Sequence, residues 1–453
     1  MTNRRAALAV SCVSSFLTPY LSSAVSIALP AIGSDLGLGA VALGWVNTSF
    51  LVAAAAFLLP FGKLGDMVGR RRVFAMGLVS YAVFSILAAL APSGAALVAA
   101  VALIGVSAAA IFGTGVAILT SVYPPQERGR VLGVNVSFTY AGLSLGPLLG
   151  GIMTQALGWR SVYLLDVPVA LAAVAVALAV LKGEWKGEEG QRFDLAGSLL
   201  AIATLGLLVY GLSLLPAPEG FAFVGASLLG LVLFVLRESR AEHPLLSLEL
   251  FRNSRVFAMS NLAALINYSA TFAITFFLSL YLQYVEGLDA RAAGLLLMAQ
   301  PVLMVLFSPL AGRLSDRHEP RLLASVGMGI MTLMLAALAT AGKGTPLWLI
   351  VIELVAVGIG YAFFSSPNTN AVMGSVDRRF YGVASATLGT MRLVGQMLSM
   401  GIAMLVVSLY VGRAEMTSSS YPLFLRSMHI GFAIFAALCL VGVFASMARG
   451  RRA

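Results

Sequence analysis

Apolar residues fill this chain in stretches too long for strands and too continuous for amphipathic surface helices. Short polar segments rich in Arg and Lys separate them. A membrane-crossing helix needs about 20 consecutive apolar residues. On that template the pattern predicts fourteen spans, the first six at roughly 6–29, 41–61, 72–91, 95–121, 132–156 and 161–181. A charged linker, 182–194, leads to two more at about 195–215 and 220–236, joined by the turn Pro216-Ala217-Pro218-Glu219-Gly220. A second polar linker, 237–255, precedes the last six at about 256–284, 291–311, 322–341, 346–373, 382–411 and 424–447. The predicted fold is all-α and integral to the membrane. It has a six-helix bundle over 1–181, a linker carrying two extra spans over 182–255, and a second six-helix bundle over 256–453.

Composition agrees: 59% of residues are apolar and 11% charged, against about 25% charged in soluble domains. The net charge of +10 does not point to nucleic acid, because the cations cluster in short loops between apolar runs. Of the 29 Lys and Arg, 23 fall in the termini and in loops on one side. Five fall on the other (Arg160, Arg291, Lys343, Arg413 and Arg426), and Arg392 lies inside a span. The positive-inside rule then places both termini in the cytoplasm of a multi-pass plasma (inner) membrane protein. The basic start, Met1 to Arg5, imitates a signal peptide, but its apolar run continues to Pro30 without a cleavage site, so it reads as the first span. Cys12 and Cys439 both lie in apolar runs, so neither a disulfide nor a metal site is expected. There is no phosphate-binding loop and no nucleophile–base set, which argues against an enzyme, a cofactor and an ATP-driven pump.

Gly62-Lys63-Leu64-Gly65-Asp66-Met67-Val68-Gly69-Arg70-Arg71-Arg72 reads as a short basic hinge between spans two and three. Its glycines allow a tight turn and close helix approach. Asp66 is surplus to orientation, since acids contribute little to it, and so it calls for a specific partner. A degenerate copy, Gly312-Arg313-Leu314-Ser315-Asp316-Arg317, lies at the equivalent place in the last six spans. Two copies imply two related halves. Gly142, Gly146 and Gly150 recur every four residues, with Pro147 and Gly151 beside them, a pattern that lets two helices approach closely.

Ionisable residues at membrane depth are functional candidates. Arg392 is at least ten residues from either end of its span, and Glu353 in the preceding span is its best-placed acid. The pair reads as structural, as proton-linked, or as an Arg facing a cavity to attract an anion. Asp166, two residues before Pro168, reads as a helix N-cap or as a proton or substrate site. His429 reads as interfacial. Asn135, Asn261, Asn267, Gln300, Asn368 and Gln396 are cavity candidates or plain interhelix hydrogen-bonders.

These motifs together resemble the major facilitator superfamily, and within it the fourteen-span drug:proton antiporters. The 62–72 segment resembles the superfamily's signature loop, and Gly142-Leu143-Ser144-Leu145-Gly146-Pro147-Leu148-Leu149-Gly150-Gly151 the antiporter motif of its exporters. Ala28-Leu29-Pro30, Trp45-Val46, Gly158-Trp159-Arg160, Phe193-Asp194-Leu195-Ala196-Gly197 and Tyr281-Leu282-Gln283 extend the likeness over nearly the whole chain. The resemblance implies that Asp66 and Arg70 latch the cytoplasmic side, for which the positive helix end near Gly382 offers a target. It also implies that the Gly142–Gly151 face packs between the halves. The chain departs from the family at Leu21, where many relatives carry an acid, and at Val101 and Ile104, where they carry Arg and Gln. That departure moves the expected proton carrier to Glu353. The sequence therefore points to an alternating-access transporter with a site near the midplane, exporting small amphipathic or drug-like compounds in exchange for protons. Two alternatives stand: a carrier of a specific organic anion or metabolite anchored by Arg392, and a non-transporting membrane sensor or scaffold. A small-molecule substrate, protons and the lipid bilayer are the expected partners, and a monomer suffices.

Overall fold

A computed structural model describes residues 3–186, 194–240, 248–376, 381–412 and 418–450. The first six spans are α1 (Asn3–Leu36), α2 (Ala40–Val68), α3 (Arg70–Ala89), α4 (Gly94–Val122), α5 (Pro125–Leu157) and α6 (Arg160–Ala179). Two more follow, α7 (Leu195–Leu214) and α8 (Pro218–Glu238), then a short helix, α9 (Leu248–Asn253). The ninth span is divided into α10 (Arg255–Thr271), α11 (Ile274–Leu280) and a π turn, Tyr281–Val285. The tenth is α12 (Ala290–Leu297) and α13 (Ala299–Arg317). The rest are α14 (Pro320–Leu338), α15 (Leu347–Gly374), α16 (Tyr381–Tyr410) and α17 (Tyr421–Met447). Fourteen segments are long and apolar enough to cross a membrane.

Local chemistry sets the helix starts. Ser93, Asp194, Ser254 and Asp289 each accept a backbone N–H from three residues ahead, which satisfies a donor the helix cannot. Proline opens α5, α8, α14 and α17, where its missing N–H costs nothing. The helices overrun the predicted spans because charge does not end a helix. The supposed hinge is thus mostly helix: Gly62, Lys63, Gly65 and Asp66 belong to α2, and Gly69 alone turns the chain, at φ 127°. That left-handed backbone suits glycine. At the break between α10 and α11, the Ala273 N–H donates to Ser399 Oγ of α16 at 3.0 Å, so no backbone donor is stranded there.

Within the first six spans α1 lies on α5, α2 and α3 lie on α4, and α3 on α6. Within the last six α10 lies on α16 and α17, while α15 receives α13 and α14. The two sets meet where α1 touches α11, α2 touches α16, and α5 touches α12 and α13. With fourteen crossings, the start of α1 and the end of α17 fall on one face, here called the terminal face, with the distal face opposite. Cross-set hydrogen bonds gather toward the distal face. Ser279 Oγ donates to Ser26 O at 2.7 Å, Gln283 Nε2 to Ile27 O at 3.1 Å and Thr48 Oγ1 to Met404 Sδ at 3.2 Å.

The extra helices are not symmetric with the rest. α7 lies against both α2 and α16. Tyr210 stands 6.2 Å from the Trp45 ring, Ser408 Oγ donates to Leu215 O at 3.2 Å, and Leu205 packs on the Ala54, Ala55, Leu58 and Leu393 cluster. α8 packs on α7, tied by Ser227 Oγ to Thr204 O at 2.8 Å and by the Asp194–Arg237 ion pair at 2.6 Å. Only 11% of the apolar stretch of α8 is buried.

Candidate functional site

Arg392 sits 11 residues into α16, roughly 16 Å from its start at 1.5 Å per residue, and therefore at membrane mid-depth. Gly395 brings α16 against α10, since a Cβ there would lie 2.6 Å from Leu265 O. This close approach lays the Arg392 guanidinium over the Tyr268 ring, 5.3 Å from its centroid. Tyr361 of α15 meets Tyr268 edge to face, with centroids 5.6 Å apart at 80°. Tyr361 and Tyr140 are the other electrostatic neighbours of the guanidinium. Tyr140 comes from α5, in the opposite set of spans, and shares a hydrogen bond with Ser365 of α15 at 3.1 Å. Gln396 lies one turn from Arg392 on the same face of α16 and is half-buried. Four aromatic or cationic groups from four helices thus converge where the two sets face each other.

Glu353 is not the partner of Arg392. Among the described residues Arg392 makes no ion pair, and its Nε is sealed from solvent without an acceptor. The reason is axial offset: Glu353 lies eight residues nearer the distal end of α15 than Tyr361, or about 12 Å. Glu353 is buried at 5% exposure, and its Oε2 has no hydrogen-bond partner. Its electrostatic neighbour is Tyr281 in the π turn.

Asp166 is not a cap either. It lies six residues beyond Arg160 in a helix that runs straight through Pro168, because the proline ring needs only the preceding turn to yield. The carboxyl is 1% exposed and accepts the Tyr81 hydroxyl at 2.8 Å, with Tyr20 and Tyr163 as further neighbours. Tyr163 also lines a narrow apolar cleft with Leu21, Ser22, Val25, Asn47 and Val101. Leu21 and Val101, two of the three departures noted above, therefore face one space.

In the hinge, Arg70 Nε donates to Asp66 Oδ1 at 2.8 Å, and its Nη1 donates to Ser121 Oγ at 2.6 Å. Arg71 Nη2 reaches the Leu178 carbonyl at 2.8 Å, binding α3 to the end of α6. Glu184, which the sequence did not single out, accepts the Arg71 N–H at 2.9 Å and lies 3.6 Å from Arg72. It caps α3 from a position 113 residues further on; its only signal was an acid in a charged linker. The Trp185 carbonyl takes the Arg70 N–H beside it at 2.9 Å. The segment 377–380 just before α16, at the target expected for Asp66, and the side chains of Tyr381 and Asp316 lie outside the described residues. Gly312 meets open space and Arg317 is exposed.

The glycine face is divided differently from the expectation. Gly142, Gly146 and Gly150 face α1, within their own set, and a Cβ at 146 would stand 2.9 Å from Tyr20 O. From this motif, Gly151, against Ala290 and Arg291, and Pro147, whose carbonyl abuts Gly294, reach the opposite set. Asn135 donates to Ser11 O at 2.9 Å and Asn267 to Met331 Sδ at 3.7 Å, each inside its own bundle. The Gln300 backbone carbonyl packs on Gly358, and His429 contacts Ala341 O at 2.7 Å.

Two six-helix sets around a polar mid-membrane cluster, with carboxyls buried at membrane depth, define a polytopic α-helical transporter. The chain belongs to the Major Facilitator Superfamily, whose family description matches residues 11–400. It is 34% identical over 411 residues to the cephamycin export protein CmcT of Amycolatopsis lactamdurans, covering 88% of this chain and 84% of that one. It is 29% identical over 388 residues to the riboflavin transporter RibZ of Clostridioides difficile, covering 85% and 84%. Among solved structures, a bacterial homologue of the human lysosomal transporter Spinster, in an inward-facing and unoccupied conformation, superposes with a TM-score of 0.70. It shares 15% identity and covers 99% of this chain and 97% of that one. A D-xylose–proton symporter gives 0.70 at 12% identity, covering 97% and 96%.

Proposed function

We propose that the protein is a secondary active transporter that expels small amphipathic compounds from the cytoplasm in exchange for protons. The observation that carries this reading is the seam. The two sets are bonded to each other near the distal face and meet at mid-depth through the Tyr140–Ser365 contact beside Arg392. A substrate seat at the point where two rocking bundles meet is the requirement of alternating access. We assign the terminal face to the cytoplasm on the charge bias, so the state described here is closed to the outside. The export proteins among the relatives support the direction of transport.

Proton coupling needs a group that is stable with and without its proton. Glu353 and Asp166 are membrane-depth carboxyls without a cationic partner among the described residues, the setting in which a carboxyl takes up a proton most readily. In proteoliposomes with an imposed pH gradient, wild-type protein is expected to move ethidium against its concentration gradient. Glu353→Gln is expected to lower gradient-driven flux at least tenfold while sparing downhill exchange. Asp166→Asn would have the same effect only if coupling runs through the first bundle. Equal flux with and without the gradient, in the wild type, would overturn proton coupling.

A further inference from the structure

We infer that the seat around Arg392 is built for a planar aromatic anion. The inference rests on the transport reading above, because it takes the seam as the substrate path. Arg392 is a permanent cation at membrane mid-depth, and its nearest partners are phenol rings rather than carboxylates. An intramembrane Arg held for structure alone pairs with a carboxylate or with backbone carbonyls. Here Glu353 is offset along the helix axis, and Nε is sealed without an acceptor. The cation is therefore left with charge to offer.

The surroundings specify what completes it. Tyr268 turns a ring face to the guanidinium, and Tyr361 packs edge to face on Tyr268 beside it. Flat π systems stack or pack edgewise against such surfaces, and a carboxylate or sulfonate on the same ligand takes the bidentate fork of the guanidinium. Gln396, one turn along α16, adds a neutral donor and acceptor on the same face. Tyr140 approaches from the other bundle and is held by Ser365. A ligand seated on Arg392 thus touches both moving bodies.

The test compares matched probes on the full-length protein in phosphatidylcholine nanodiscs: 2-naphthoate, its uncharged amide 2-naphthamide, and cyclohexanecarboxylate. Wild type is expected to bind 2-naphthoate at least tenfold more tightly than either of the others. Arg392→Ala should erase the preference over the amide while changing amide affinity less than threefold. Arg392→Lys should keep a weakened preference. Tyr268→Leu should weaken both naphthalenes and leave cyclohexanecarboxylate unchanged. Equal wild-type affinities for the acid and its amide overturn the inference, and this comparison needs no variant to fold. Equal affinity for the aromatic and alicyclic acids, with naphthoate displaced by added phosphatidylglycerol, also overturns it, by making the seat one for lipid headgroups. Ethidium export measured alongside separates the two readings. Export without acid preference removes this inference alone, whereas Arg392-dependent binding without flux of any probe removes the transport reading and leaves the seat.

Discussion

Arg392 carries a charge that a bilayer penalises by about 3 kcal/mol at the helix centre, yet it has been given rings rather than a counter-ion. Glu184 shows the opposite economy, one carboxylate serving the start of α3 twice, through the Arg71 N–H and through Arg72. Glu184→Ala is expected to cost about 1 kcal/mol, the usual loss for a helix-start cap. Thermal unfolding in detergent and faster protease cutting at 182–194 would report it. Depth was legible from the chain for single residues: Arg392, Glu353 and Asp166 are all inside helices at the levels their positions indicated. Direction was not. Arg392 and Glu353 sit on neighbouring spans, but their offset along the helix axis separates them. Asp166 looked like a cap because Pro168 follows, although a membrane helix tolerates an interior proline when neighbouring helices and local adjustment take up the freed backbone groups.

At the level of elements, all fourteen spans could be read from hydropathy, because the bilayer sets one length and one composition for each. The ends moved by a turn or more where helices project beyond the apolar stretch, as in α2 through Asp66. The division of the ninth span was invisible, since its stranded donor is satisfied by Ser399, 126 residues away. The glycine repeat on α5 announced a close helix contact without naming the partner. The family resemblance assigned that contact to the seam between the halves, whereas α1 takes three of the glycines and α12 takes Gly151. Gly146→Leu is therefore expected to destabilise the first bundle by about 1–3 kcal/mol through overpacking, seen as a lower unfolding midpoint. Gly151→Leu should instead hinder closure of the distal face, seen as greater labelling of a reporter cysteine there, with the midpoint little changed.

For the molecule as a whole, the distal closure is buried but bridged by a few individually weak bonds, as a reversible gate requires. Cysteines replacing Ser26 and Ser279, whose side chain and backbone already meet at 2.7 Å, should cross-link under mild oxidation. Ethidium flux is expected to fall to background and to return on reduction. Flux unaffected by a formed cross-link would mean that the α1–α11 contact does not open during transport. The two-bundle plan followed from the repeated hinge, but the path of α7 did not, because a uniformly apolar helix gives no clue to which groove receives it.

That path has a consequence for solutes that arrive through lipid. α7 fills the crease between α2 and α16 and α8 backs it, so a molecule diffusing in the bilayer meets a wall along that flank. Along the other flank it reaches α5 and α13 directly, where Phe138, Leu306 and Leu310 lie exposed. The extra pair of helices makes the protein one-sided toward its own membrane. On the proposed transport reading, a solute carried in the lipid would approach the seat from that flank, so the placement of α7 would decide its route before the seat decides its fit.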